Sequence, residues 1–474
     1  MTLTSRTAAD RVLDEISSDI TITDPDLLGS YAHDESRFTA HALPVAVLAP
    51  RCTDEVSLCL AAAHRHKVPV IPRGAGSGLS GGANATADAL VLSLHRMNHV
   101  LEVNEADRLA VVQPGVITAE LRARAAGVGL FYPPDPGSVE FSTVGGNVAT
   151  NAGGMCCVKY GVTGDFVIGI EAVLADGRVL RTGRRTVKGV AGYDLTHLLV
   201  GSEGTLGVIT EVTVRLVPKP ATAHTLVASF GQLTDAGAVV AEIARSGITA
   251  SLLEILDRTT IHAVDAMTNM GLGDAQALLL IQADDAAGTD ALLQRVEQIC
   301  VTHGAEDIAR STDPVEADML LQARRLALPA LERLGDWLLD DVAVPRSRIV
   351  DLIAAVQEIS AQLDLRIGVF GHAGDGNLHP TVIFDDADPD SRAAAHHAFN
   401  RITQKALELG GTITGEHGIG LLKKQWLTTE LNDVAAEVQA TIKHALDPTR
   451  ILNPSKVIDA IDHHPDAPRD RSKL

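Results

Sequence analysis

Residues 371–380 read GHAGDGNLHP and residues 415–420 read GEHGIG. The first places His372 and His379 seven apart among glycines and an aspartate; the second sets Glu416 beside His417. Histidines of an apolar core usually stand singly in periodic segments. These stand where the chain bends sharply, which suits side chains converging on one point. Imidazoles and carboxylates carry protons and hold cations. Which of these applies depends on what the first half of the chain binds.

Flanking patterns supply the mount. RIGVFGH (366–372) and NLHPTVIF (377–384) read as strands on either side of a tight turn, a rigid base for side chains. His396 and His397 lie on a helix over 390–410 and point apart, as on a solvated face. Helices are also expected over 314–333 and 350–363. Earlier in this half, TLVASF (225–230) precedes a helix over 234–247, and LLLIQAD (278–284) precedes one over 288–304. Strands alternating with helices, without a phosphate loop, predict an α+β cap.

Before residue 220 the rhythm differs. VAVLAP (45–50), KVPVIPR (67–73), ALVLSL (89–94) and LAVVQPG (109–115) read as strands, with helices over 54–66 and 119–127. Residues 166–183 read as a hairpin turning at Asp176-Gly177, and 204–220 as a long strand pair ending at prolines. PRGAGSGLSGG (72–82) contains GxGxxG at Gly76, Gly78 and Gly81, after a strand. A strand-like stretch follows instead of a helix, so the loop suits phosphate but lies outside a dinucleotide-binding βαβ unit. No GK[ST] accompanies it. PPDPGSVEFSTVGGNVATNAGG (133–154) lets backbone approach a flat ligand, while Thr143, Asn147, Thr150 and Asn151 offer uncharged hydrogen bonds. GSEGTLGVIT (201–210) adds a third small-residue block. One extended ligand with a diphosphate, such as FAD, accounts for all three.

Composition bounds the rest. The 474 residues are 46% apolar with a net charge of −20, which suits a folded protein and argues against nucleic acid or anionic membrane as main partner. Cys52, Cys59, Cys156, Cys157 and Cys300 are too few and irregular for a disulfide framework and read as reduced thiols of a cytoplasmic protein. The first twenty residues read as an amphipathic surface helix rather than a signal peptide. No apolar run reaches the roughly 18 residues of a membrane span. Ser472-Lys473-Leu474 matches a peroxisomal address; the lysine-poor composition reads as bacterial, where that match is coincidence, while in a eukaryote it would make the protein peroxisomal.

Together these motifs resemble a known family. PRGAGSGLSGG, the PPDP…TVGGN…NAGG block and GYDLTHLLVGSEGTLGVIT resemble the FAD-binding domain of the vanillyl-alcohol-oxidase-like flavoproteins. GHAGDGNLHP, GEHGIG and DPTRILNPSKV resemble its D-2-hydroxyacid dehydrogenase branch. The resemblance spans residues 25–458. It implies an α+β fold: a two-subdomain FAD-binding domain (1–220), an α+β cap with an antiparallel sheet (221–410) and a C-terminal segment returning to the flavin (411–460); residues 461–474 read as a mobile tail. By this resemblance Arg73, Gly74, Ala75, Gly76, Ser77 and Gly78 bind the diphosphate. Pro134, Ser138, Thr143, Gly145, Gly146, Asn147, Thr150, Asn151, Ala152, Gly154, Tyr160 and Gly161 run along the flavin and ribityl chain. Glu203, Gly204, Gly207 and Ile209 meet the adenosine side or ring, and Asn453 closes on the flavin. Some relatives attach FAD through a histidine in the first loop; Ser77 near that position implies noncovalent FAD.

The resemblance also makes His372, His379 and Glu416 ligands of a divalent metal (zinc, manganese or iron) and His417 the catalytic base. A 2-hydroxy acid must lose its hydroxyl proton as hydride leaves C2, and a cation on that oxygen lowers its pKa. Asp375 and Asn377 are expected to shape the turn. Arg324, with Arg325 as fallback, is expected to meet the substrate carboxylate. Where relatives that take a second carboxylate have Asn and Lys, this chain has Thr381 and Leu339, which favours D-lactate or glycolate over D-2-hydroxyglutarate. Alternatives are a flavin-bound transferase resembling alkylglycerone-phosphate synthase, a D-2-hydroxyglutarate dehydrogenase, and a flavin subunit active only in a larger complex. The electron acceptor (quinone, cytochrome or electron-transfer flavoprotein) is open, as is the oligomeric state, a homodimer included.

Overall fold

A computed structural model describes residues 6–285 and 288–458. The expected tail, with Ser472-Lys473-Leu474, lies outside the described residues. Three large sheets and one two-stranded sheet carry the described residues. The first has the order Thr21–Ile22, Ala46–Leu48, Leu90–Ser93, Val70–Arg73. Its last three strands are parallel, and all their residues but Pro72 are buried, as the covered faces of such sheets require. Between Arg73 and Leu90 the chain forms no helix. The segment Ile451–Asn453 returns to this sheet: Val70 N–H donates to the Ile451 carbonyl and Asn453 N–H to the Val70 carbonyl.

The second layer is antiparallel, in the order Val100–Asn104, Leu109–Val112, Val208–Arg215, Val167–Val173, Val179–Gly183. The expected hairpin is present, with Val173 opposite Val179. The pair expected over 204–220 is instead one long strand, Val208–Arg215, and a two-residue strand, Val217–Pro218, which leaves that sheet to pair with Leu130–Phe131. Residues 144–150, read as a small-residue block, form a short helix capped by the Thr143 hydroxyl.

The third layer is an eight-stranded antiparallel sheet. Its order is Ala305–Ser311, His224–Phe230, Ala277–Ala283, Leu252–Asp257, Arg366–His372, Asn377–Phe384, Asp336–Leu339, with Val342–Ala343 also on Asn377–Phe384. Period-2 alternation gives it two faces. Leu253, Ile255, Val369, Leu378 and Val382 pack on one side under the helices Leu233–Arg245, Ile349–Leu363 and Pro389–Glu408. Leu252, Leu256, Phe370, Leu339 and Trp337 face the other way. The helix expected over 314–333 is two, Pro314–Arg325 and Ala327–Glu332. Pro329 has no N–H for the Arg325 carbonyl and crowds it, which breaks the run. No helix among the described residues is long and apolar enough to cross a membrane.

Candidate active site

A cavity of about 650 Å³ lies among the three sheets. One end is made of backbone. Arg73 to Gly78, Ser138, Thr143, Gly145 to Asn147, Thr150, Ala152, Glu203, Gly204, Gly207 and Ile209 all line it. The two Gly-rich segments touch: a Cβ on Gly74 would stand 2.5 Å from the Thr143 hydroxyl. Such contact brings many N–H groups to one surface while adding little charge.

Other residues assigned to this wall by resemblance lie behind it. Pro134, Asn151, Gly154, Tyr160, Gly161 and Asn453 are not on the cavity surface. Tyr160 donates its hydroxyl to Asp284, 2.6 Å away in the cap. Asn151 accepts the Gly164 N–H, and Gly154 and Gly161 pack against Asp135 and Asp165. Asn453 donates to the carbonyls of Gly82 and Glu203. Arg73 lines the cavity, yet its guanidinium is engaged by the carbonyls of His33 and Ser30. It braces the loop, and the backbone of 74–78 is left to face a ligand.

The opposite end is built of side chains. His372 and Asn377 pair across the turn of the two flanking strands, as do Phe370 and His379, so both histidines emerge on the same face. GEHGIG comes over them from the C-terminal segment. His372 Nε2, His379 Nε2 and His417 Nε2 stand 3.1, 3.3 and 3.7 Å from one atom, Glu416 Oε1. The rings of His379 and His417 are stacked, with centroids 5.0 Å apart. The sequence block NAGG reaches the same point: a Cβ on Gly153 would fall 2.4 Å from Glu416 Oε2, so any larger residue there would push that carboxylate out of place. Arg324 and Arg325 also line the cavity.

Two carboxylates missed in the sequence brace this end. Asp341, buried, accepts the N–H groups of Gly415, Glu416 and His417, each at 2.9 Å, and the Thr414 hydroxyl at 2.7 Å. That nest of donors fixes how GEHG presents Glu416 and His417. Its other oxygen accepts from Asn377, which is how Asn377 shapes the turn, and lies 3.7 Å from His379 Nδ1. Glu254 receives His372 Nδ1 at 2.8 Å. Its signal was a single acid at a site-facing position in the apolar run SLLEIL, visible only once that run is read as a strand.

Electrostatics follow from the burial. Burial drives the His379 imidazole down to about 4, so it is neutral, the form a metal ligand needs. For His372 burial opposes the proton, but Glu254 and Glu416 outweigh it and hold the ring well above its usual range. Burial likewise opposes ionisation of Glu416, and the imidazoles of His372 and His379 outweigh it. This end of the cavity therefore holds positive charge, a proton on His372 between two carboxylates, which a cation bound there would displace. His372, His379 and Glu416 offer two ring nitrogens and a carboxylate oxygen within 4.8 Å of one another. That donor set fits a divalent cation with positions left open.

Known proteins resemble this chain over both of its domains. Residues 44–183 match the FAD binding domain, and residues 219–457 the C-terminal domain of FAD linked oxidases. The chain is 45% identical to the glycolate oxidase subunit GlcD of Bacillus subtilis, over 88% of this chain and 89% of that one. It is 33% identical to a D-lactate dehydrogenase of Anaerostipes hadrus, over 95% of each. The structure of 4-ethylphenol oxidase from Gulosibacter chungangensis superposes with a TM-score of 0.78 at 20% identity, covering 95% of this chain and 96% of that one. The fold is thus of the vanillyl-alcohol-oxidase type, with an FAD-binding domain and a cap on an antiparallel sheet, and the chain belongs to the family of FAD-linked oxidases.

Proposed function

We propose that the protein oxidises a short D-2-hydroxy acid, D-lactate or glycolate, to the 2-oxo acid, with FAD held noncovalently and a divalent cation on His372, His379 and Glu416. One observation carries this reading: the cavity runs from the Gly-rich backbone to three imidazoles gathered on one glutamate oxygen. When bound, the flavin accepts hydride and the cation acidifies the substrate hydroxyl.

The chain's own residues supply the rest. His417 Nε2 takes the hydroxyl proton, being held beside the cluster by its stacked partner and by the Asp341 nest. Arg324 presents its guanidinium to the substrate carboxylate from over the Phe370 ring, 4.9 Å away. Trp337, Leu339, Leu328 and Phe370 make the adjoining wall apolar. The Thr381 hydroxyl is fully buried and bonds the His379 carbonyl, so it offers a distal carboxylate nothing. Arg325 is engaged by Asp318. These features favour a small side chain on the substrate. Ser77 on the cavity wall supports noncovalent FAD.

The test is anaerobic mixing of the FAD- and metal-loaded chain with D- and L-2-hydroxy acids while following flavin absorbance. Bleaching by D-lactate or glycolate is expected. No bleaching by any 2-hydroxy acid overturns the reading. Because the Bacillus subtilis relative is named as a subunit, an artificial acceptor replaces any partner in turnover assays.

A further inference from the structure

One carboxylate of the site has no part in the chemistry above. Glu254 is fully buried, with 0% of its surface exposed. Its two oxygens face two different groups: Oε1 takes His372 Nδ1 at 2.8 Å, and Oε2 takes Arg324 Nε. Both partners are buried too. We propose that Glu254 is a shared positioning residue, one side chain that aims both the cation ligand His372 and the substrate-binding Arg324. This rests on the reading under Proposed function.

The sheet makes the arrangement rigid. Ile255 lies opposite Gly371 and Leu256 opposite Phe370. Continuing that antiparallel register puts Glu254 across from His372, on the same face. The strand's neighbours are paired on both sides, so the carboxylate cannot drift. Each bond then has a directional consequence. Engaging Nδ1 of His372 leaves Nε2 as the atom turned to Glu416, as a second partner does for a metal-bound histidine. Engaging Nε of Arg324 leaves the two terminal nitrogens, the fork that matches a carboxylate, for the cavity. The Phe370 ring under the guanidinium fixes its plane. An ion pair built only for stability would need one cation; this carboxylate divides its oxygens between the two halves of the substrate-binding site.

The experiment uses the full-length, FAD-bound chain and the variant Glu254→Gln, whose amide can accept from one partner only. Manganese(II) is titrated without substrate, and turnover with D-lactate or glycolate is then measured at saturating manganese. Weakening of manganese binding by about 10–100-fold is expected. Saturating metal should restore most of kcat, while KM stays raised because Arg324 is no longer held. A folding defect would not separate the two constants in this way. Wild-type manganese affinity in Glu254→Gln, or an unchanged KM, overturns shared positioning. If Glu254→Gln does not accumulate with FAD, Glu254→Asp decides by the same two measurements: its shorter carboxylate should weaken both, and wild-type values overturn the proposal. A wild-type chain that binds no manganese overturns the metal reading itself and this inference with it, so the two failures are told apart.

Discussion

The two ends of the cavity are made by opposite means. At the Gly-rich end the chain offers backbone and small side chains, and selectivity comes from how closely loops pack. At the histidine end it offers buried imidazoles and a guanidinium, positioned by the carboxylates Glu254, Asp341 and Glu416. The first tolerates a change of polarity better than a change of size. The second tolerates size better than loss of a partner, because an unpaired buried charge is costly. Substitutions at the two ends should therefore fail in different ways.

The largest separation is expected within the histidine end. His372→Ala or Glu416→Ala should lose bound metal and slow flavin reduction, with FAD content unchanged. His417→Asn should keep both metal and FAD and slow reduction by roughly 10²–10⁴-fold, the usual share of a positioned base. The losses should not add, since both act on one hydroxyl proton. Elemental analysis and single-turnover reduction check this; full metal and full rate in His372→Ala would remove the proposed centre.

The Gly-rich end should fail by size alone. A Cβ on Gly145 would stand 2.4 Å from Pro114 Cβ and 2.9 Å from its backbone. Gly145→Val should overpack by about 1–3 kcal/mol and lower FAD occupancy, read as flavin absorbance per chain, while manganese binding persists. Retained FAD with lost manganese would invert the comparison.

A smaller effect concerns the wall between the ends. D-Lactate or glycolate should bleach the flavin faster than D-2-hydroxyglutarate at equal concentration, because Leu339 and Thr381 offer a second carboxylate no partner. Stopped-flow rates in the reverse order would show a polar contact that the apolar wall does not provide.

The smallest effect tests the joint. Glu203, on the Gly-rich side, accepts the N–H groups of Ile419 and Gly420 from the histidine side. Burial raises its carboxyl to about 7, from the 4.5 of a free glutamate. The folded chain thus holds the proton more tightly than the unfolded one. Its contribution is fully present below about 4.5, falls as pH rises towards 7, and is flat above. In FAD-free protein, denaturant titrations should show that slope, about 1–3 kcal/mol in all, and Glu203→Gln should lack it. An equal slope in both would place the titration elsewhere.

Much of the site was legible because its signals are local. Turn chemistry and two-residue alternation fixed the strands flanking GHAGDG at 366–372 and 377–384, and these are the observed bounds. The Gly-rich segments were recognisable by composition alone, and most of their residues line the cavity. Alternation in NLHPTVIF also tells which residues share a face with His379. Each of these depends on a continuous stretch of chain, over which backbone preference and side-chain direction are set by near neighbours.

What only the tertiary structure decided is which buried charge stands behind which imidazole. Glu254 lies 118 positions from His372, and Asp341 lies 74 to 76 positions from the three N–H groups it gathers. Nothing local to LLDDVAVP distinguishes a site carboxylate from a surface acid, and Glu254 in SLLEILD stands out only once that run is placed as a strand with its face towards the site. The same holds for Tyr160, whose place by a flavin motif did not foretell that its hydroxyl would join the cap at Asp284. These pairings come from inter-strand register and domain packing, and register is chosen by the whole sheet's burial, not by the residues that end up in contact.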